Sequence, residues 1–176
     1  MGSRSGDLDP AVPGHLLRAG WSPADVEDLL QHRGGLLGLA GSADLRDVLV
    51  RRDTGDEAAV LALDVYCHRI RKYVGAYHAV LGRLDAITFT AGVGEHAPVV
   101  RAGALAGLEG WGITVDPVRN GTGEGSRIIS PDGAPVAVCV VPTDEERAIA
   151  DAMVALRSQV PAETGPSALG AGEALA

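Results

Sequence analysis

Aromatic side chains are scarce in this sequence, with three Tyr, two Trp and one Phe among 176 residues. Single-stranded nucleic acids bind on aromatic platforms, and duplexes bind through neutralised phosphates. A chain with few rings and a formal net charge of −8 supplies neither, which argues against a nucleic-acid partner. The charge is silent about a nucleotide, which backbone amides and a metal can hold. Cysteine is also sparse. Cys67 and Cys139 alone make neither a disulfide framework nor a zinc site, and they fit core thiols of a reduced, cytoplasmic protein. Apolar runs near the ~20 residues of a membrane span are missing, and the start lacks the charged-then-apolar layout of a signal peptide. The expectation is a soluble cytoplasmic chain without a membrane partner.

What is present reads as one domain, residues 1–157, of a size that buries roughly 70% of its unfolded-chain surface. Four helices are announced by their caps. Ser22-Pro23-Ala24-Asp25 opens a short helix that ends near Gly34-Gly35. Thr54-Gly55-Asp56-Glu57 reads as a capping box before a long apolar stripe through Leu63, Cys67, Ile70, Val74, Tyr77 and Leu81, closed by Gly82. A third helix starts near Pro98 and carries Val100, Ala104, Leu105 and Leu108. Thr143-Asp144-Glu145-Glu146 is another capping box, leading into Ile149, Met153 and Leu156 and a helix to about Arg157.

Two continuous apolar runs, Asp85 to Thr90 and Pro135 to Val141, read as strands covered on both faces by helices. The alternation of strand and helix predicts an α/β fold. The stretch Asn120 to Ser126 is glycine-rich and is expected to be a surface turn, and residues 158–176 lack a packing pattern and are expected to be disordered.

Chemistry concentrates in four places. Thr90-Ala91-Gly92-Val93-Gly94-Glu95 lies between a strand and a helix, where free N–H groups and a helix dipole can hold a phosphate; a plain strand-to-helix turn is the alternative. Asp144-Glu145-Glu146 either complements a helix start or presents Glu145 to Mg²⁺, which is typically held by one or two carboxylates plus substrate phosphates. Asp44-Leu45-Arg46-Asp47 reads locally as a charged helix start. The opening MGSRSGDLDP is either a cloning remnant or a site built on one cation, a glycine and two carboxylates. The five histidines show no ligand spacing, and no hydrolase triad can be picked out.

Taken in order, MGSRSGDLDP, GGLLGLAGSADLRDV, ALDVYCHRIRKYVGAY, DAITFTAGVGEHAPVVR, LEGWGITVDPVRN and VPTDEERAIA, the chain resembles the C-terminal part of the acetate kinases over residues 1 to about 157. The resemblance implies the acetate and sugar kinase, Hsp70 and actin superfamily, with a ribonuclease H-like (actin-like ATPase) domain of mixed sheet flanked by helices. It implies transfer of the γ-phosphoryl group of ATP to acetate, giving acetyl phosphate and ADP; a propionate or butyrate kinase fragment and a non-catalytic nucleotide-binding or dimerisation module are the alternatives. Arg4 falls on the family's transition-state-stabilising arginine. Asp44, Leu45 and Arg46 fall on one nucleotide-binding stretch, and Gly92, Val93, Gly94, Glu95 and His96 on the other. Glu145 falls on the magnesium ligand. Pairing through this domain implies a homodimer.

The sequence departs from the family at Ala91, where glycine is usual, and at His96 and Asp144, where asparagine is usual. The family's N-terminal domain, which holds its catalytic aspartate and carboxylate pocket, is missing. This chain alone is therefore expected to be inactive, as a truncation, a sequence with a misassigned start, or one half of a split enzyme whose partner is encoded separately.

Overall fold

The computed structural model describes residues 2–159. Residues up to Pro142 form one compact unit, and a second begins at Thr143. Of the tail expected to be disordered, only residues 158 and 159 are described, as the end of a helix; 160–176 lie outside the described residues.

The first unit runs α1 (Ala11–Arg18), α2 (Pro23–His32), α3 (Gly35–Ala40), α4 (Leu45–Asp53), α5 (Glu57–Leu81), β1 (Ala86–Phe89), α6 (Ala91–His96), α7 (Pro98–Leu105), a 3₁₀ turn (Glu109–Trp111), α8 (Pro117–Gly121), β2 (Arg127–Ile128) and β3 (Ala137–Val140). The Ser22 hydroxyl accepts from the Asp25 amide, so α2 starts where its capping sequence says. The long helix also appears as expected and ends at Gly82. Its cap differs. Asp56, rather than Thr54, accepts from the amides of Ala58 and Ala59 at 2.9 and 3.2 Å, while the Thr54 hydroxyl donates to the Arg51 carbonyl at 2.8 Å and closes α4. The carboxylate has oxygens to spare for both helix amides and the Arg51 Nε, which donates to it at 2.8 Å.

Helix α5 is the spine of the fold. Its Ala59 and Ala62 pack with Leu36, Ala40 and Val48 in one apolar cluster, and its Leu63 and Cys67 pack with Ala97 and Val100 in another. Helix α7 crosses so closely that a Cβ at Gly103 would stand 2.9 Å from the Cys67 sulfur. A third cluster lies against the sheet, where Leu105, Ile113, Ile129, Val136, Val138 and Val140 are buried. Each such side chain contributes about 1.5–3 kcal/mol of burial.

The sheet has the order β1-β3-β2. β1 and β3 are parallel, Ala86 opposite Ala137 and Phe89 opposite Val140; β2 is antiparallel to β3. This is the expected α/β mixed sheet flanked by helices, with one correction. β1 is not covered on both faces, because Ala86 and Thr88 are exposed while Ile87 and Phe89 are half-buried.

The second unit contributes α9 (Glu145–Gln159). At its start the Asp144 carboxylate accepts from the Arg147 amide at 2.9 Å. An aspartate there suits the positive end of the helix. Ile149, Met153 and Leu156, the expected apolar face, are each more than 60% exposed. Among the described residues no helix is long and apolar enough to cross a membrane.

Candidate functional site

The opening RSGDLDP is a strap tied down at both ends. At its start, the amides of Gly34 and Leu37 donate to the carbonyls of Ser3 and Gly2, and the Ser5 amide donates to the Leu30 carbonyl, all within 2.7–2.9 Å. The approach to Gly34 tolerates no side chain: a Cβ there would lie 2.8 Å from the Ser5 nitrogen. Farther along, Asp7 accepts from Arg69 Nη1 at 2.5 Å and from the Tyr73 hydroxyl at 2.7 Å. These donors, Tyr73 first, hold the Asp7 carboxyl below its usual range. Asp9 then accepts from the Ala11 amide at 2.8 Å, just ahead of α1. Between these ties Arg4 is exposed. The strap therefore fixes a backbone and displays a cation.

A groove of about 710 Å³ lies across the unit, and it joins the two stretches that the sequence singled out. Asp44, Leu45 and Arg46 line one side; Gly92, Val93 and His96 line the other. Asp44 caps α4 by accepting from the Arg46 amide, and the same carboxylate accepts from Arg46 Nε and Nη2 at 3.0 and 2.5 Å. That guanidinium lowers the Asp44 pKa to about 2. Because the folded value is depressed, the ionised pair is complete above the ordinary carboxylate range and is lost only as pH falls towards about 2. A carbon-13 carboxyl titration of Asp44 should place the midpoint near 2; an unshifted midpoint would remove the pair.

Leu45 and Val93 also pack into the apolar cluster of Leu63, Cys67, Ala97 and Val100. Side chains so placed form the floor of the groove, which leaves backbone groups and the side chains of Asp44, Arg46 and His96 for recognition. The second stretch is not merely the connection ahead of a helix that was expected, since residues 91–96 already form α6. Gly94 is buried in this helix, and a Cβ there would stand 3.1 Å from the Phe89 carbonyl carbon. Ala91 opens α6 at φ +57°, the one non-glycine residue of the described chain with positive φ. A left-handed alanine costs roughly 1–2 kcal/mol, which is the physical reason that glycine suits this position.

The structure thus brings together Asp44, Leu45, Arg46, Gly92, Val93 and His96. Gly94 and Glu95 support α6 without lining the groove, and Arg4 stands outside its lining. Its neighbour Ser5 lines an adjoining apolar cavity of about 430 Å³, which shares Leu36 and Tyr66 with the groove. Glu145 is exposed in the first turn of α9, in the second unit. No group of three or more metal-ligating side chains occurs among the described residues; a lone carboxylate suits an ion whose other ligands come from a nucleotide and water.

The model of the acetokinase family matches residues 1–151. The chain belongs to that family. It is 56% identical over 161 residues to the acetate kinase of Streptomyces coelicolor, covering 90% of this chain and 40% of that one. It is 51% identical to the acetate kinase of Nitratidesulfovibrio vulgaris over 154 residues, 86% of this chain and 38% of that protein. The crystal structure of Porphyromonas gingivalis acetate kinase superposes with a TM-score of 0.82 at 41% identity, over 89% of this chain and 40% of that one. A propionate kinase from Francisella tularensis superposes with 0.79 at 34% identity, over 85% and 38%. This acetokinase-family chain therefore spans about 40% of the length of its relatives, and its α/β architecture is theirs.

Two features of the site escaped the sequence reading. Arg69 and Tyr73, which tie down Asp7, lie 62 and 66 residues from it, and local spacing carries no signal for such a pair. Arg101 did leave a signal: it sits at helical spacing from Ala97, Ala104 and Leu105, on an apolar face where a cation needs a reason.

Proposed function

We propose that this chain is the nucleotide-binding part of an acetate kinase, a phosphotransferase moving the γ-phosphoryl group of ATP to acetate to give acetyl phosphate and ADP. The observation that carries the reading is the shared groove of Asp44–Arg46 and Gly92, Val93 and His96. Amides of α6 and the polar groups opposite would take up the nucleotide, and Arg4 would face the equatorial oxygens of the phosphoryl group in flight with a planar, permanently charged fork. Glu145, at the start of α9 and within VPTDEERAIA, is the proposed magnesium ligand. A bound Mg²⁺ would neutralise nucleotide phosphate charge. Acetate is favoured over propionate as acceptor because the relatives of that name stand at 56% identity and the propionate kinase at 34%.

In-line transfer needs both substrates positioned together. Given the share of the relatives' length that this chain spans, the carboxylate site is assigned to a further polypeptide segment, and the chain alone is expected to be inactive. The unpaired Cys67 and Cys139 support a reducing, cytoplasmic setting. The exposed Val65, Tyr73, Tyr77, Val80 and Leu81 on α5 support self-association into a homodimer.

The test is a titration of the purified chain with Mg-ADP, followed by a hydroxamate assay for acetyl phosphate from acetate and Mg-ATP. The assay is run with the chain alone and with the complementary segment of a relative. Binding without activity, and activity restored on complementation, is the expected result. Absence of nucleotide binding would overturn the groove assignment, and turnover by the chain alone would overturn the need for a second segment.

A further inference from the structure

We propose that Arg101 is a positioning residue for the nucleotide-facing helix α6, an inference that rests on the nucleotide reading of the groove. Arg101 is only 1% exposed. Its Nη1 donates to the carbonyls of Gly94 and Glu95 at 2.8 and 3.0 Å. Its Nε donates to Asn120 Oδ1 at 2.7 Å, and its Nη2 donates to the Asn120 carbonyl at 2.6 Å. Asn120 is itself 5% exposed, and its Nδ2 donates to the Pro98 carbonyl at 2.9 Å. One guanidinium on α7 therefore joins the end of α6 to α8.

The acceptors decide what this arrangement does. A buried cation is normally matched by a carboxylate; Arg101 donates to four uncharged oxygens, and two of these are carbonyls in the last turn of α6. Those carbonyls have no intrahelical donor. The other end of α6 begins at Ala91 in the left-handed region, a conformation that persists only where the surroundings over-determine it. Arg101 anchors the opposite end of the same short helix. It holds Gly94 and Glu95 in place, and so fixes the backbone that presents Gly92, Val93 and His96 to the groove.

No other side chain reproduces the contact set. The fork of arginine carries five donors in a fixed plane, directed here to α6 on one side and α8 on the other, whereas lysine has three donors on a single atom. Asn120 completes the device by accepting from Nε while donating to the start of α7. A role in stability alone would weaken the whole unit evenly. A positioning role loosens α6 first.

The experiment compares the wild-type chain with Arg101→Lys by amide hydrogen exchange and Mg-ADP titration, at a temperature where circular dichroism shows both folded. Expected are exchange at residues 92–96 faster by tenfold or more, unchanged exchange at Val138 and Val140 in β3, and a Kd for Mg-ADP raised tenfold or more. Should Arg101→Lys fail to fold, Asn120→Ala carries the same test. It leaves Arg101 bound to α6 and is expected to shift both readouts in the same direction by a smaller factor. Equal acceleration in α6 and β3, or loosened α6 amides with unchanged affinity, would overturn the proposal. If wild-type protein binds no Mg-ADP, the nucleotide reading fails, and the exchange pattern alone then decides whether Arg101 positions α6.

Discussion

The N-terminal strap and the corner of α6, α7 and α8 each carry an arginine, and they treat it in opposite ways. In the strap the backbone is tied at Ser3, Ser5, Asp7 and Asp9, and Arg4 is left exposed. In the corner the guanidinium of Arg101 is the tie, buried and directed onto four oxygens. Arginine that holds a structure spends its donors inside the protein. Arginine that awaits a ligand sits on a backbone fixed by other residues. The same side chain therefore predicts different losses at the two places.

Replacing Arg101 with methionine should have the largest effect. It leaves the Asn120 amide oxygen and three carbonyls without their donors, and a loss on the order of 3 kcal/mol or more is expected by thermal unfolding. A loss below about 1 kcal/mol would make the corner look like the strap. Gly34→Ala should come next, because the added methyl meets backbone at Ser5 that cannot rotate away; about 1–3 kcal/mol is expected, together with faster exchange of the Gly34 and Leu37 amides. Unchanged exchange there would show that the strap is tied elsewhere. Ala91→Gly should stabilise the protein by about 1 kcal/mol by relieving the left-handed alanine, and a lower melting temperature would place the strain outside Ala91. Arg4→Ala should change stability by less than about 0.5 kcal/mol. In the complemented enzyme it should cost roughly 10³–10⁵ in rate, by analogy with arginine fingers. A large loss of stability instead would turn Arg4 into a second Arg101.

The parts of the fold that were legible in the sequence are those set by local periodicity. The stripe from Leu63 to Leu81 gave α5 to within two residues, and the two apolar runs gave the strands β1 and β3, whose parallel pairing only the fold shows. Caps were legible as sites but not always as residues. At Thr54 a following aspartate, Asp56, took the role, because a carboxylate serves more amides than a hydroxyl does. Helix α6 was hidden by its glycines, which disfavour helix unless packing demands it; Gly94 against Phe89 shows that demand. The glycine-rich stretch read as a surface turn begins with Asn120, which is buried as the partner of Arg101. The two halves of the groove were visible one by one as Asp44–Arg46 and Gly92–His96. Their meeting is a product of α4 and α7 packing against the same helix, which no spacing records.

Strand β1 leaves a consequence of another kind. Among the described residues it stands at the margin of the sheet, paired with β3 on one side, with Ala86 and Thr88 open to solvent. The free side of such a strand is a row of peptide donors and acceptors, and any extended segment of matching register can zip onto it. For this molecule handled by itself, that margin is where solubility will be decided: raised concentration favours edge-to-edge stacking of copies, and a charged residue at Thr88 is the simplest way to blunt it.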